Sequence, residues 1–395
     1  VRNVDINEQT VTADLGGMDA VLKYDSLILA AGAGQSYFGN EQFAEFAPGM
    51  KSVDDALEIR ARVTGAFERA EITNDPVERE RLLTFVVVGA GPAGLSAAIR
   101  LKQIDPDLNV VVLEKGSEVG AHILSGAVLD PSGLTALIPD WKEKGAPVKT
   151  EVHTDKFVVL GEGGQFRIPN WPMPRLMSNH GNYIVSMGSV CRWLAEQAEG
   201  LGVEVYPGMA ASHVVWEEET GRVKGVVAGV FGIDREGKPT GEFQPGLELH
   251  GKYVFIAEGV RGSLAKTIMA RHNLCDAADP QKFGIGLKEL WQIPAEKHQP
   301  GLVQHTTGWP LDDKTGGGSF LYHFGDRYVS VGFVVHLNYK NPFLSPFDEF
   351  QRFKHHPSIA EHLEGGTRIS YGARAITEGG LQSIPKLAFP GGALI

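Results

Sequence analysis

The sequence contains few cysteines and no long apolar run. Its two cysteines, Cys191 and Cys275, cannot supply the four thiolates of an iron–sulfur cluster or a structural zinc site, and they indicate no disulfide framework. A reducing compartment is therefore expected. No uninterrupted apolar stretch reaches about 18 residues, and the first thirty residues alternate between polar and apolar types, unlike a secretory signal. We expect no transmembrane helix, so any membrane contact would be peripheral.

Basic clusters are also missing. The formal net charge is −11 and no block of lysine and arginine occurs, which argues against nucleic acid as a partner because phosphate binding needs a clustered cationic surface. A chain of 395 residues that is 43% apolar can bury a large core and ordinarily forms two or three domains. Its 49 glycines follow no repeat period, so they predict tight turns and close backbone approaches.

What is present is a strand, a glycine turn and a helix in "TFVVVGAGPAGLSAAIRLKQ", from residue 84. In this G-x-G-x-x-G pattern Gly89 allows the sharp turn and Gly91 lets backbone N–H groups reach a pyrophosphate, whereas Gly94 lets the helix pack closely on the strand. The N-terminus of the helix then favours the anion. A second strand at residues 110–113 completes a Rossmann-like βαβ unit.

An acidic residue, Glu114, ends that second strand twenty residues after Gly94. A carboxylate at this position accepts hydrogen bonds from the ribose hydroxyls of an adenosine. The pattern therefore predicts dinucleotide binding, and the alternative is a tight βα turn with a surface glutamate. The fingerprint does not choose between FAD and NAD, since both contain the same ADP half.

Two further segments favour FAD. The glycine-studded loop "KGSEVGAHILSGAVLDP" follows the second strand, and a later strand ends in a turn containing Glu258 and Gly259. Both would bring backbone close to the same ligand, which suits a long, deeply held FAD better than an exchangeable nicotinamide. The alternative is that both segments are ordinary loops.

From about residue 84 to residue 395 the chain resembles the electron transfer flavoprotein–ubiquinone oxidoreductase family. Stretches that carry the resemblance include "EKGSEVGAHILSGAVLDP", "NHGNYIVSMGSVCRWLAEQAEGLGVEVYPG", "FGIGLKELWQIP", "GWPLDDKTGGGSFLYH" and "GGLQSIPKLAFPGGALI". It implies a mixed α/β (α+β) fold of glutathione-reductase type, in which a Rossmann-like FAD-binding domain contains an inserted β-rich quinone domain. The implied segments are 84–165, 181–270 and 371–395 for the FAD domain, 166–180 for a membrane-contact loop and 271–370 for the ubiquinone-binding domain.

Residues 1–85 are similar to a different family, the type II NADH dehydrogenases, through "KYDSLILAAGAGQSYFGN" and "ERERLLTFVVVGAGP". Both families share the string at residues 86–92. We therefore expect residues 1–83 to be a partial segment joined at this common fingerprint, by gene fusion or by faulty assembly of sequence reads.

The main resemblance implies that FAD accepts electrons from reduced electron transfer flavoprotein and passes them to ubiquinone. Because flavin carries the redox chemistry, no catalytic side chain is predicted. The family also holds a 4Fe–4S cluster, whose cysteines are expected beyond residue 395, so this chain is expected to be truncated and to hold no metal. The implied location is peripheral, on the cytoplasmic face of a bacterial inner membrane or, in eukaryotic relatives, on the mitochondrial inner membrane.

The resemblance also implies site residues. Those for the pyrophosphate and the adenosine ribose are Gly89, Gly91, Pro92, Ala93, Gly94 and Glu114. Those that would line the flavin are Lys115, His122, Leu124, Ser125 and Gly126, and an ordinary loop histidine is the alternative for His122. The quinone residues are Gly317 and Gly318, beside Gly316 where the family has tyrosine; a glycine-rich hairpin tip is the alternative.

The segment "FRIPNWPMPRLM" at residues 166–177 combines apolar side chains such as Phe166, Trp171 and Leu176 with Arg167 and Arg175. Three prolines argue against a regular helix or a central strand. A loop that dips into the lipid interface is our hypothesis, with the arginines at the headgroups. The alternative is a proline-rich loop that packs on the protein.

Three other functions remain as alternatives to the leading interpretation. A type II NADH:quinone oxidoreductase is favoured by residues 1–85 alone. A non-catalytic chimeric fragment would bind no cofactor. Another flavoprotein of similar architecture, such as a geranylgeranyl reductase, is disfavoured by "GLKELW" and "KHHPSI".

Overall fold

The computed structural model describes residues 3–5, 10–14, 19–23, 84–124 and 126–395. The chain divides into two units, residues 1–40 and 41–395. In the first unit, β1 (Asn3–Asp5), β2 (Thr10–Asp14) and β3 (Asp19–Lys23) form an antiparallel sheet in the order β1-β2-β3. Most of the segment that resembles type II NADH dehydrogenase lies outside the described residues.

The second unit alternates helices and strands and then becomes rich in strands. Its strands are β4 (Thr84–Val88), β5 (Asn109–Glu114), β6 (Ala127–Leu129), β7 (Thr150–Glu151), β8 (Thr154–Leu160), β9 (Gln165–Ile168), β10 (Tyr183–Val185), β11 (Glu204–Pro207), β12 (Ala211–Glu217), β13 (Arg222–Ile233), β14 (Pro239–His250), β15 (Tyr253–Ile256), β16 (Phe283–Gln292), β17 (Leu302–Gly308), β18 (Gly317–Phe324), β19 (Tyr328–His336), β20 (Thr367–Thr377), β21 (Ala388–Phe389) and β22 (Gly392–Leu394). Its helices are α1 (Pro92–Ile104), α2 (Ser132–Leu137), α3 (Met187–Gly200), α4 (Ser263–Arg271), α5 (Pro346–Lys354) and α6 (Pro357–Leu363).

A largely parallel sheet in the order β11-β5-β4-β15-β22-β21 forms the nucleotide-binding layer. Only its edge strand β21 runs antiparallel to its neighbour. The strand β4 is an unbroken apolar run because a parallel sheet is covered on both faces. Phe85 and Val87 pack with α1 and α3 on one face, and Val86 and Val88 pack with α4 on the other. The predicted βαβ unit is confirmed.

The second large sheet has the order β20-β16-β19-β18-β17-β8-β9. Its pairs are antiparallel except for β17 with β8. One face is covered by α5 and α6, where Phe333, Phe350 and Phe353 form a buried aromatic cluster. The sheet is larger than the predicted interval 271–370, since it takes in β8 and β9 and continues to the end of β20. Strand pairs that are so distant in sequence leave no local signal.

Two smaller antiparallel sheets complete the second unit, in the orders β12-β13-β14 and β6-β10-β7. The strands β13 and β14 form a long antiparallel hairpin. None of the helices in the described part of the chain is both long and apolar enough to cross a bilayer.

A buried carboxylate ties α5 to the second sheet. Glu289 on β16 is almost fully buried and accepts hydrogen bonds from Lys354 Nζ (2.9 and 2.8 Å), Arg368 Nη1 (3.1 Å) and Trp291 Nε1 (2.8 Å). Burial by itself raises the pKa of Glu289, but the hydrogen bonds and the Lys354 charge lower the pKa more, so it stays below its ordinary value. A carboxylate with a lowered folded-state pKa stabilises the fold above its unfolded-state pKa, and this contribution disappears as the pH falls through the folded-state value.

We predict that Lys354→Met lowers the free energy of unfolding at neutral pH, toward the lower end of about 3–5 kcal/mol because Arg368 remains. The loss should shrink in acid, where a protonated Glu289 needs no cation. Denaturant unfolding at several pH values measures both effects, and Lys340→Met, at an exposed position, is the control. A loss that is equal at all pH values would contradict the role given to the Glu289 charge.

Candidate functional site

The turn between β4 and α1 is crowded by a second turn that follows β15. Gly89 has φ +110°, and a Cβ built on it would lie 2.4 Å from the carbonyl oxygen of Ala257. A Cβ on Gly94 would lie 2.0 Å from the carbonyl oxygen of Gly89. By contrast, within the described part of the chain no heavy atom lies within 4 Å of a Cβ built on Gly91. The space around the three glycines is therefore compatible with the three different roles expected of the fingerprint.

Glu114 closes the other side of this turn. Its carboxylate accepts hydrogen bonds from the backbone N–H groups of Ala90 (3.0 Å, to Oε2) and Gly116 (2.7 Å, to Oε1). A carboxylate offers about four acceptor sites. Glu114 can therefore accept two more bonds, as the two hydroxyls of a ribose require.

The first cavity, of about 670 Å³, lies between these groups. Its lining brings together many of the predicted residues: Gly89, Gly91, Pro92, Ala93, Glu114, Lys115, His122, Glu258 and Gly259. Gly94 lies behind the lining, where α1 meets β4. Among the described residues no side chain caps α1, whose N-cap is Gly91, so the start of this helix suits an anionic group.

Glu258 lines the cavity, but its carboxylate is already engaged. Its Oε2 accepts the backbone N–H of Ala265 at 2.9 Å, and its Oε1 accepts the Ser263 hydroxyl at 3.3 Å. The side chain thus caps α4. Gly259 follows with φ +76°, so this turn presents backbone to the cavity, as the sequence predicted.

A second cavity, of about 680 Å³, continues from the first. The two share the lining residues Gly120, His122, Ile123, Met187 and Arg374. Leu124 also lines the second cavity, and its side chain contacts the site of Gly372. Gly126 has φ +96°, and its carbonyl oxygen accepts a 2.7 Å hydrogen bond from Lys288 Nζ. Ser125 lies outside the described residues.

Two cationic residues of this cavity were not found from the sequence. Arg374 on β20 donates to the carbonyl oxygen of His122 at 3.0 Å, and Lys288 on β16 extends to Gly126. Burial lowers the pKa of the Lys288 ammonium group. The sequence shows only that each of these strands contains at least one basic residue, and it is the pairing of β16 with β20 that brings Lys288 and Arg374 together.

A third cavity, of about 660 Å³, contains the predicted glycine pair Gly317 and Gly318. It shares Phe320 and Val334 with the second cavity. The glycines begin β18 and pair with Val335 and Val334, so the hairpin-tip alternative is wrong. A Cβ on Gly317 would lie 2.2 Å from the carbonyl oxygen of Val334, which shows that no larger residue fits there without a shift of the backbone.

The segment 166–177 forms the mouth of the third cavity. Met173, Leu176 and Met177 line the cavity. The side chains of Trp171 and Leu176 are also highly exposed to solvent, at 87% and 99%. In agreement with its prolines, the segment contains the edge strand β9 and a single 3₁₀ turn, Arg175–Met177. Exposed apolar side chains therefore surround the opening.

The three cavities together form a series that runs from the glycine turn to the mouth loop. Among residues 84–124 and 126–395, no group of three or more His, Cys, Asp or Glu side chains is arranged to hold a metal ion.

Comparisons with known proteins agree with this geometry. Residues 87–141 match the family described as NAD(P)-binding Rossmann-like domain, and residues 283–376 match the family described as ETF-QO, ubiquinone-binding. The protein named electron transfer flavoprotein-ubiquinone oxidoreductase in Pseudomonas aeruginosa is 56% identical over 326 residues, which cover 81% of this chain and 59% of that protein. The mitochondrial protein of that name in Rattus norvegicus is 58% identical over 317 residues, which cover 78% of this chain and 51% of that protein.

Solved structures with similar folds have low sequence identity to this chain. A geranylgeranyl bacteriochlorophyll reductase-like protein from Thermoplasma acidophilum has a TM-score of 0.54 at 17% identity, covering 79% of this chain and 70% of that one. A myxobacterial FAD-dependent chondrochloren halogenase has a TM-score of 0.52 at 20% identity, and the match covers 79% of this chain and 67% of that one. At such identities these likenesses concern the fold alone.

The fold is therefore the mixed α/β, Rossmann-like fold of glutathione-reductase-type flavoproteins, as predicted. Within this class, the resemblance to the electron transfer flavoprotein–ubiquinone oxidoreductase family is confirmed. The chain spans between about half and three-fifths of the length of the relatives it matches. The resemblance of residues 1–85 to type II NADH dehydrogenase stays a prediction.

We predict that alanine substitutions at two glycines of the turn change the free energy of unfolding to different extents. Gly94→Ala should lower the free energy of unfolding by about 2–3 kcal/mol, because its Cβ meets backbone. Gly91→Ala should change it by less than about 0.5 kcal/mol. Denaturant unfolding of the cofactor-free protein measures both, and equal losses in the two variants would contradict the geometry of the turn.

Proposed function

We propose that this chain is the flavin- and quinone-binding part of an electron transfer flavoprotein–ubiquinone oxidoreductase. In this role it takes electrons from reduced electron transfer flavoprotein and delivers them to ubiquinone. The observation that carries the proposal is the series of three adjoining cavities, which begins at a dinucleotide fingerprint and ends at the predicted quinone glycines. The order suits an extended FAD followed by a quinone.

The first cavity fits the ADP half of FAD. The open space at Gly91 leaves room for a pyrophosphate against the start of α1, together with Pro92 and Ala93. Glu114 has acceptor sites free for the ribose. Gly89 and Gly94 support this arrangement by allowing the turn.

The second cavity suits the flavin ring, and the bound flavin would supply the electron transfer. The residues proposed to contact the flavin are Lys115, His122, Leu124, Ser125 and Gly126. Of these, His122 and Leu124 line the second cavity, whereas Lys115 lines the first cavity together with Glu258 and Gly259. Arg374 and Lys288 place positive charge beside the ring site, which favours a flavin that gains negative charge on reduction. No acid–base side chain is needed for that electron transfer.

The third cavity suits the quinone. Gly317 and Gly318 give close backbone approach, and the apolar mouth around Leu176 and Met177 suits an isoprenoid tail. Because Phe320 and Val334 line both the second and third cavities, the two ligands would be neighbours.

The remaining assignments follow from this role. We propose peripheral contact of residues 166–180 with the cytoplasmic face of a bacterial inner membrane. The FAD-binding domain would comprise segments 84–165, 181–270 and 371–395, and the quinone domain residues 271–370, extended by β8 and β9. A 4Fe–4S cluster is expected in the family and is assigned to none of the residues described here.

The function is tested by anaerobic mixing of the FAD-loaded protein. Reduced electron transfer flavoprotein should bleach the bound flavin, and a soluble ubiquinone should restore its absorbance. Bleaching by NADH instead would favour an NADH:quinone oxidoreductase. If the protein binds no flavin at all, the proposal fails.

We predict that Gly91→Val weakens FAD binding by at least about tenfold, which corresponds to ~1.4 kcal/mol. The added side chain would fill the space proposed for the pyrophosphate. Titration of the apoprotein with FAD, followed by quenching of flavin fluorescence, measures the change. Gly163→Val is the matched control, since among the described residues none lies within 4 Å of its Cβ either. Equal FAD affinity in Gly91→Val and the parent would contradict the assignment.

We also predict that Trp171→Glu reduces flotation of the protein with anionic liposomes. A charge in place of an exposed indole opposes entry into the lipid interface. Phe231→Glu, a similar change at another exposed aromatic residue on β13, is the control and should float like the parent. Absence of lipid association in the parent would end the membrane-contact hypothesis.

A further inference from the structure

The third cavity has a polar wall that includes Asp155, His305 and Tyr322. In the second sheet, Val303 on β17 pairs with Asp155 on β8 and with Tyr322 on β18. Paired residues point to the same face of a sheet, and so does the residue two positions further along a strand. Asp155, Tyr322 and His305 therefore share one face, and all three line the cavity.

A direct hydrogen bond joins two of these residues. His305 Nε2 lies 2.8 Å from the hydroxyl oxygen of Tyr322, and the two rings meet edge to face. Tyr322 is only 7% exposed. Phe320 lies two residues before Tyr322, stacks on its ring and reaches the second cavity. The pair is thus next to the proposed flavin site.

The surroundings hold this pair neutral. Burial lowers the pKa of His305, and the negative charge of Asp155 opposes that effect. Burial raises the pKa of Tyr322, and Asp155 raises this pKa further. The other charged groups nearby are Arg167, which reaches the Asp155 carbonyl oxygen at 3.4 Å, and Lys288, which lies over the Phe320 ring.

A neutral imidazole and a neutral phenol together carry two exchangeable hydrogens. One lies in the bond between them. The other is on His305 Nδ1 or on the Tyr322 hydroxyl, depending on the tautomer, and is free to be donated. Asp155 is itself held in place, because its Oδ2 accepts the N–H and the side-chain amide of Asn179 at 2.9 and 3.1 Å.

We propose that the His305–Tyr322 pair is the proton donor to the quinone in the third cavity. The inference rests on the proposed function, because the two electrons come from the bound flavin. As one quinone oxygen takes up electron density, an O–H bond forms on it and an N–H or O–H bond of the pair breaks. Water at the cavity mouth supplies the proton for the second oxygen, and solvent returns one proton to the pair. Two electrons and two protons thus convert the quinone to the quinol.

The test compares an acceptor that needs protons with one that does not. The flavin of the FAD-loaded protein is photoreduced without oxygen and then mixed with ubiquinone-1 or with ferricenium, a one-electron acceptor that takes up no proton. In His305→Gln and Tyr322→Phe, we expect reoxidation by ubiquinone-1 to slow about tenfold to a hundredfold. Reoxidation by ferricenium should stay within about twofold of the parent.

Three further readouts separate proton donation from a structural role. The solvent deuterium isotope effect on the ubiquinone-1 reaction should rise in both variants. Imidazole added to His305→Ala should restore part of the ubiquinone-1 rate. Binding of ubiquinone-1, followed by protein fluorescence, should be unchanged. Tyr328→Phe is the control, because it removes a tyrosyl hydroxyl from β19 of the same sheet at a position that does not belong to the lining of the third cavity.

The outcomes are distinguishable. If the parent reacts with ferricenium but not with ubiquinone-1, the proposed function fails and the inference fails with it. If the parent reacts with both and the variants keep the parent's ubiquinone-1 rate, only the inference is overturned. It is also overturned if the variants lose both rates, or if weaker quinone binding accounts for the whole loss.

Discussion

The site depends on one steric constraint, the contact between the turn after β4 and the turn after β15. A side chain at Gly89 would strike the backbone of Ala257, so the two turns lie as close as backbone allows, and a side chain at Gly94 would strike the backbone of Gly89, so α1 packs closely on its own turn. The carboxyl ends of parallel strands diverge beyond such a contact and leave a crevice between them, where ligands of this class of sheet bind. Glu114 fixes the opposite side of the crevice by accepting N–H groups of its own turn and of the glycine turn.

The rest of the site follows from where the second sheet meets this crevice. The strands β16, β18 and β20 bring Lys288, Phe320 and Arg374 to the cavity that continues from it. Because Phe320 and Val334 also line the third cavity, these two residues connect the regions proposed for the flavin and the quinone. In the second sheet, the strand register decides which side chains face the cavities. In the first sheet, the glycine turn decides which backbone groups face the crevice.

The sequence predicted the parts of the site that depend on local chain geometry. Gly89, Gly91 and Glu114 could be found because their spacing within one βαβ unit fixes their roles. Gly317 and Gly318 were found through resemblance, without their strand pairing. Lys288, Arg374 and the group of Asp155, His305 and Tyr322 line the cavities but were not predicted from the sequence. His305 and Tyr322 lie on the consecutive strands β17 and β18. The positions of Lys288, Arg374 and Asp155 depend on pairing between strands far apart in the chain, such as β8 with β17, which no local pattern reveals. The extent of the second sheet was underestimated for the same reason.

We propose that one continuous series of cavities holds a flavin nucleotide and a quinone side by side. The most direct measurement is an experimental structure of this chain with FAD and ubiquinone-1 bound. We expect pyrophosphate density against Gly91, a ribose on Glu114 and a quinone ring between Gly318 and Tyr322, with Phe320 next to both ligands. FAD density away from the glycine turn, or a quinone bound outside the third cavity, would contradict it.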